Sequence, residues 1–340
     1  MAKQREGTNK PRERTLNPPR RPRQKKERTT PETALRKQRK QLKYIAVLPT
    51  AVTLMNALCG FLSVVYASRG QGIFLEVVLF RKMGITFFTI AGYLIVFAMI
   101  ADVLDGQVAR WSGAASAFGG QLDSLSDAIS FGVAPAFLML KVTESRLRLE
   151  TFMRVFYFPM SLWKTFPNEN AQLAYLAGSW ILFVAIFYML CTVIRLARFN
   201  VENDTELSTH QNFTGLPSPA AAGIVVSLVI FQENFIPKIA DRLPGFSSAL
   251  TNVTSWLLPF AVLFAGILMV TRIRYTHIAN RLLGKKKSFV TVLLILFIGF
   301  LAVWHIQLAL LLGFWGFVLT GLIRSIYSEI TRLLQARARR

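Results

Sequence analysis

From Ile45 onward the chain alternates between long apolar runs and short polar stretches, a rhythm that sets its architecture before any single residue is considered. Runs of about 20 apolar residues are the length an α-helix needs to cross a bilayer. The pattern predicts spans at about Ile45–Ser68, Ile85–Trp111, Ala117–Leu140 and Ala174–Ala197. A fifth opens at Pro217 and Pro219, and a sixth covers about Thr251–Arg272. Residues 288–323 are almost wholly apolar and long enough for two further spans broken near His305, which reads as an interfacial side chain. The expectation is an all-α integral membrane protein of about eight transmembrane helices.

Composition agrees and adds a direction. Of 340 residues 53% are hydrophobic and 17% charged, with a mean hydropathy of +0.41. The net charge of +22 is uneven: residues 1–43 hold sixteen Lys and Arg against four Glu, a net of +12. With almost no large apolar residue before Leu42, this stretch is expected to form a disordered tail, either inert and solvated or lying on anionic lipid. Its basic character, with that of Arg274–Lys287 and of the last residues, places both termini in the cytoplasm, which requires an even number of spans. The division expected is a tail over 1–43, a core over 44–235, additional helices over 236–325 and a basic end over 326–340. Residues 141–172 form the longest connection and read as an interfacial amphipathic piece. The two cysteines, Cys59 and Cys191, sit in apolar runs and give neither a disulfide framework nor thiolate spacing.

Against this background Asp102–Asp127 stands out: D-V-L-D-G-Q-V-A-R-W-S-G-A-A-S-A-F-G-G-Q-L-D-S-L-S-D. A charge at the bilayer centre costs roughly 2.5–3.5 kcal/mol, so four carboxylates facing lipid would cost on the order of 10 kcal/mol. They must instead face a polar hollow. Asp102 and Asp105 are i, i+3 and Asp123 and Asp127 are i, i+4, so each pair shares a helix face. The short polar turn between the helices brings both pairs to one end. Clustered carboxylates need cations, and an all-oxygen set suits Mg²⁺, Mn²⁺ or Ca²⁺. Two such ions about 4 Å apart can clamp a phosphate displacement. The competing readings are a buried polar lock between two helices and a cation transporter.

The spacing D-x2-D-G-x2-A-R-x8-G-x3-D-x3-D, met at Asp102, Asp105, Gly106, Ala109, Arg110, Gly119, Asp123 and Asp127, resembles the signature of the CDP-alcohol phosphotransferases. The resemblance implies a helical bundle of that family and two divalent cations, Mg²⁺ or Mn²⁺, held by the four aspartates. It also implies a CDP-activated lipid attacked by an alcohol, with CMP released and Asp127 as general base. Gly106 and Ala109 would give the cytidine room, Arg110 would contact phosphate, and Gly119 and Asn56 would belong to the same nucleotide and phosphate group. The later stretches S-F-G-V-A-P-A, R-L-A-R-F-N and G-L-P-S-P-A-A-A-G, with the opening L-P-T-x3-T-L-x-N-x-L-C-G-F, are similar to the bacterial and archaeal phosphatidylserine synthases. That likeness covers about residues 45–232. It implies CDP-diacylglycerol and L-serine as substrates, with glycerol 3-phosphate, inositol phosphate or choline as other acceptors for the same chemistry. It further implies Arg195, Arg198 and Asn200 as binders of the acceptor or the lipid phosphate, a homodimer, no nucleic acid, and chemistry at the cytoplasmic face of the cell membrane.

Overall fold

The computed structural model describes residues 31–70, 72, 85–112, 117–147, 169–205, 215–240, 242–271, 273, 299 and 304–338, with side chains from Thr50 onward and some omitted within helices. In chain order the elements are α1 (Pro31–Ser68), α2 (Phe87–Ser112), α3 (Ala117–Asp127), a π turn (Ala128–Val133), α4 (Ala134–Leu147), α5 (Glu169–Thr205), α6 (Ser218–Ile230), a second π turn (Phe231–Phe235), α7 (Ile236–Ala240), α8 (Pro244–Val270) and α9 (Ile306–Ala338). Each π turn joins its flanking helices into one rod. Seven stretches among the described residues are long and apolar enough to cross a membrane, so the chain is a multi-pass, all-helical membrane protein. The break expected near His305 is present, and α9 starts one residue later. The span expected just before it lies outside the described residues, apart from position 299, as does most of the 141–172 connection.

Two helices reach into basic sequence. The first helix begins at Pro31 and runs through Pro49, so residues 31–43 are helical rather than structureless. Proline is tolerated at a first helical position, and the Ala, Leu, Gln, Lys and Arg that follow are good helix formers even without a core to bury. Residues 1–30 lie outside the described ones. Likewise α9 continues as helix to Ala338, through most of the basic end expected over 326–340.

At the centre is α6. All its residues but Pro219 are buried, as expected of a helix apolar on every side. Its first turn is small (Ala220, Ala221, Ala222, Gly223), which lets neighbours close in: the Phe314 ring of α9 fills the space a Gly223 side chain would need. Gly215 (φ +92) turns the chain into α6. Its amide donates to the Ile273 carbonyl at 2.8 Å, and Leu216 N–H donates to Leu268 O at 3.1 Å. A β-carbon on Gly215 would lie 2.5 Å from Met269 O, so both conformation and space demand glycine.

The span of α1 is different in kind. Its buried positions are Thr53, Asn56, Gly60, Ser63 and Ala67, a single seam of small or polar residues at alternating three- and four-residue spacing. Leu54, Met55, Leu58 and Phe61 face outward, as lipid-facing residues should. Ser63 Oγ donates to Ala91 O on α2 at 2.9 Å. A β-carbon on Gly60 would come within 2.7 Å of Ser130 Cα, so α1 lies directly on the first π turn.

Candidate active site

The two acidic pairs converge. Carboxylate oxygens of Asp102 on α2 and of Asp123 and Asp127 on α3 lie within 4.8 Å of one another. Asp105 is buried one turn further along α2, near enough to Asp102 and Asp123 to interact electrostatically with both. The Thr53 side chain and the Gly106 backbone amide are close enough to favour its charged form. Asp127 Oδ1 accepts a hydrogen bond from Asn56 Nδ2 at 3.1 Å. Asp105 Oδ2, Asp123 Oδ1 and Asn56 Oδ1 are buried with no hydrogen-bond partner.

Four carboxylates with so few donors repel one another and lose hydration together. A compensating charge among the described side chains is Arg195 of α5, close enough to interact with Asp102 and Asp127. Its Nη1 donates to Ser218 Oγ at the start of α6 at 2.6 Å, and the guanidinium carbon stands 6.0 Å from the centre of the Phe199 ring. Arg195 alone does not balance four carboxylates, and the remaining deficit is one that divalent metal would remove. Orphaned buried carboxylate oxygens beside an all-oxygen cluster fit such ions.

The first π turn sets the angle of α3. A π turn widens the helix by one residue and recurs at functional positions. Here it follows Asp127 directly, and the Tyr188 hydroxyl donates to the Phe131 carbonyl inside it at 3.0 Å. Gly132 lets Thr192 of α5 approach, since a β-carbon there would sit 3.3 Å from that side chain.

Of the other residues singled out from sequence, Gly106 and Gly119 lie on the helices that carry the aspartates. Ala109 and Arg110 continue α2, but their side chains are outside the described ones. Asn200 Nδ2 donates to Ser124 Oγ at 2.9 Å, tying the end of α5 to α3 beside Asp123. Arg198 is half-buried on the same turn of α5. The protein partner of the Asn56 side chain is Asp127, so its observed contact is with an acid. Sequence reasoning did not find Ser218, Tyr188, or Thr53 as a partner of Asp105. A hydroxyl in the first turn of a wholly apolar helix was the available signal for Ser218; the other two announce themselves only through contacts made across the fold.

A bundle of membrane helices that gathers an acidic, cation-seeking cluster beside a half-buried arginine defines a membrane-embedded enzyme of phosphate chemistry. The chain belongs to the CDP-alcohol phosphatidyltransferase family, whose model matches residues 46–265. It is similar to the CDP-diacylglycerol–serine O-phosphatidyltransferase of Helicobacter pylori, 30% identical over 282 residues, which cover 83% of this chain and 92% of the relative. The protein of that name from Methanocaldococcus jannaschii is 31% identical over 190 residues, 56% of this chain and 65% of the relative. The archaetidylserine synthase of Methanothermobacter thermautotrophicus is 28% identical over 241 residues, 70% and 73% of the two chains. With the family established, the ion-transport and inert-lock readings of the aspartates fall away.

Proposed function

We propose that this protein transfers the phosphatidyl group of CDP-diacylglycerol to the hydroxyl of L-serine, giving phosphatidylserine and CMP. The observation that carries the reading is the convergence of Asp102, Asp123 and Asp127 beside Arg195. Serine as acceptor draws on the names of the relatives and on the R-L-A-R-F-N and G-L-P-S-P-A-A-A-G stretches that resemble those proteins. Two divalent cations, Mg²⁺ or Mn²⁺, held by Asp102, Asp105, Asp123 and Asp127, would supply charge neutralisation for the diphosphate and the departing CMP. Asp127 takes the proton of the serine hydroxyl as its oxygen attacks the lipid-side phosphorus; the bond from that phosphorus to the bridging oxygen breaks, and CMP leaves with the electron pair. Arg195, within electrostatic reach of two aspartates, binds the lipid phosphate or the serine carboxylate, and Arg198 and Asn200 lie on the same end of α5. Burial among α1, α2, α3 and α5 restricts water, which would otherwise compete with serine.

The same reading puts the site on the cytoplasmic side of the cell membrane with both termini, since two crossings return the chain to the side of its basic amino end. It also includes the homodimer that the resemblance implies. Purified protein incubated with CDP-diacylglycerol, Mn²⁺ and one alcohol at a time tests the acceptor by CMP release. Serine is expected to give turnover well above glycerol 3-phosphate, inositol phosphate or choline; turnover with one of these and none with serine rejects the assignment. A diether CDP-lipid in parallel tests the donor, because one similar protein is an archaetidylserine synthase.

A further inference from the structure

The four acids come from α2 and α3, yet polar side chains set against two of them come from α1. Asn56 donates to Asp127 at 3.1 Å, and the Thr53 hydroxyl stands against Asp105. These donors are i, i+3, so one face of α1 presents both, and they belong to the buried seam that seats this helix on the bundle. The seat is tight where it matters. Ser130 Oγ donates to the Asn56 carbonyl at 2.8 Å, and Gly60, one turn along, leaves α1 no room to slide over Ser130. The register of α1 is therefore locked to the turn that follows Asp127.

We propose that the Thr53–Asn56 face of α1 is the positioning element of the acidic site, with Thr53 fixing the carboxylate of Asp105 and Asn56 that of Asp127. An aspartate among like charges is pushed toward whichever rotamer separates them. A single donor on its flank opposes that push and leaves the other oxygen free for a cation or a proton. Groups that hydrogen-bond to metal-binding carboxylates change metal affinity or activity by about 10- to 100-fold when removed. Neither residue needs to touch substrate for this role. The inference rests on the transferase reading above, and it replaces nucleotide contact as the function of Asn56.

The test uses the full-length protein in detergent or nanodiscs with three readouts: kcat and KM from CMP release, CDP affinity by calorimetry, and Mn²⁺ affinity by electron paramagnetic resonance. Asn56→Ala is expected to lower kcat about 100-fold and Thr53→Val about 10-fold, both with Mn²⁺ affinity down about 10-fold. CDP affinity at saturating Mn²⁺ should stay within about threefold of wild type, since uniform binding is untouched. Thr53→Ser, which keeps the hydroxyl, should recover most of the loss. Adding Asn56→Ala to Asp127→Asn should cost nothing further, because the partner it positions is already altered. A fall in CDP affinity with kcat intact would return Asn56 to the nucleotide and overturn the proposal. So would an inactive Thr53→Ser, or unchanged Mn²⁺ affinity in both variants. Wild-type protein that releases no CMP with any alcohol would instead reject the transferase reading; the Mn²⁺ measurements still decide this one.

Discussion

The two ends of the bundle bury polar groups in opposite ways. At the end of α2 remote from the aspartates, Glu233 of the second π turn is buried and pairs with Arg146 of α4, accepting from its Nε at 2.9 Å. Glu233 also accepts from Thr86 Oγ1 at 3.3 Å. Its neighbours follow suit: Gln232 Nε2 donates to Ser255 Oγ at 2.7 Å, and Asn234 Oδ1 accepts from Gln307 Nε2 at 3.2 Å. The polar atoms left over there, Gln232 Oε1 and Thr143 Oγ1, are neutral. At the other end the atoms left over include carboxylate oxygens, those of Asp105 and Asp123, beside the amide oxygen of Asn56. A paired charge inside a protein fastens elements together, whereas a set of unpaired like charges is destabilising unless a ligand completes it. One end is therefore closed by the chain itself, and the other is built to be completed from outside.

Perturbing each end should separate these roles. The largest effect is expected from Asp127→Asn, which removes the base: turnover should fall by at least about 10³-fold while CDP-lipid binding largely survives, as read by CMP release and equilibrium binding. Near-normal activity would take Asp127 out of the proton transfer. At the closed end, Glu233→Ala strands Arg146 and should cost about 3 kcal/mol of stability, the low end for breaking a buried pair because the arginine is partly exposed. Thermal unfolding in detergent measures it, with turnover per folded molecule expected to stay near wild type. Asp123→Asn should do the reverse in metal-free protein. It relieves repulsion at the open end, so the melting point should rise, by on the order of 1 kcal/mol in stability, while activity is lost. A lower melting point would mean that the carboxylates are stabilised by the chain after all. The smallest effect is expected for Arg198→Ala: roughly tenfold poorer use of serine, seen in KM, with little change in unfolding.

The open end was far more legible in the sequence than the closed one. Asp102, Asp105, Asp123 and Asp127 carry their meaning in local spacing, because helix periodicity alone puts each pair on one face. Arg195 could be suspected as a charge at a helix end beside them. What spacing could not give was the partner of any buried group. Asn56 meets Asp127 across 71 residues and Arg146 meets Glu233 across 87, and such pairings exist only after the helices have packed. Gln232, Glu233 and Asn234 nonetheless carried a signal: three polar residues in a row inside the apolar run from Ile224 to Ile236 are too costly to leave facing lipid. The reach of α1 and α9 into basic sequence was missed for a different reason. A hydropathy pattern marks where a helix crosses lipid and is silent about where its hydrogen bonding stops.

The wide turn after Asp127 has a consequence for what this chain can tolerate. Because it holds one residue more than regular helix requires, everything on its amino side is rotated by about 100° relative to everything beyond it. Deleting any single position between Ala128 and Val133 would let the rod relax to ordinary winding and swing Asp123 and Asp127 away from Asp102 together, without altering any of the four aspartates. Over these six positions the count of residues is under tighter constraint than their identity, so homologous exchanges should be survivable where the shortest possible shortening is not.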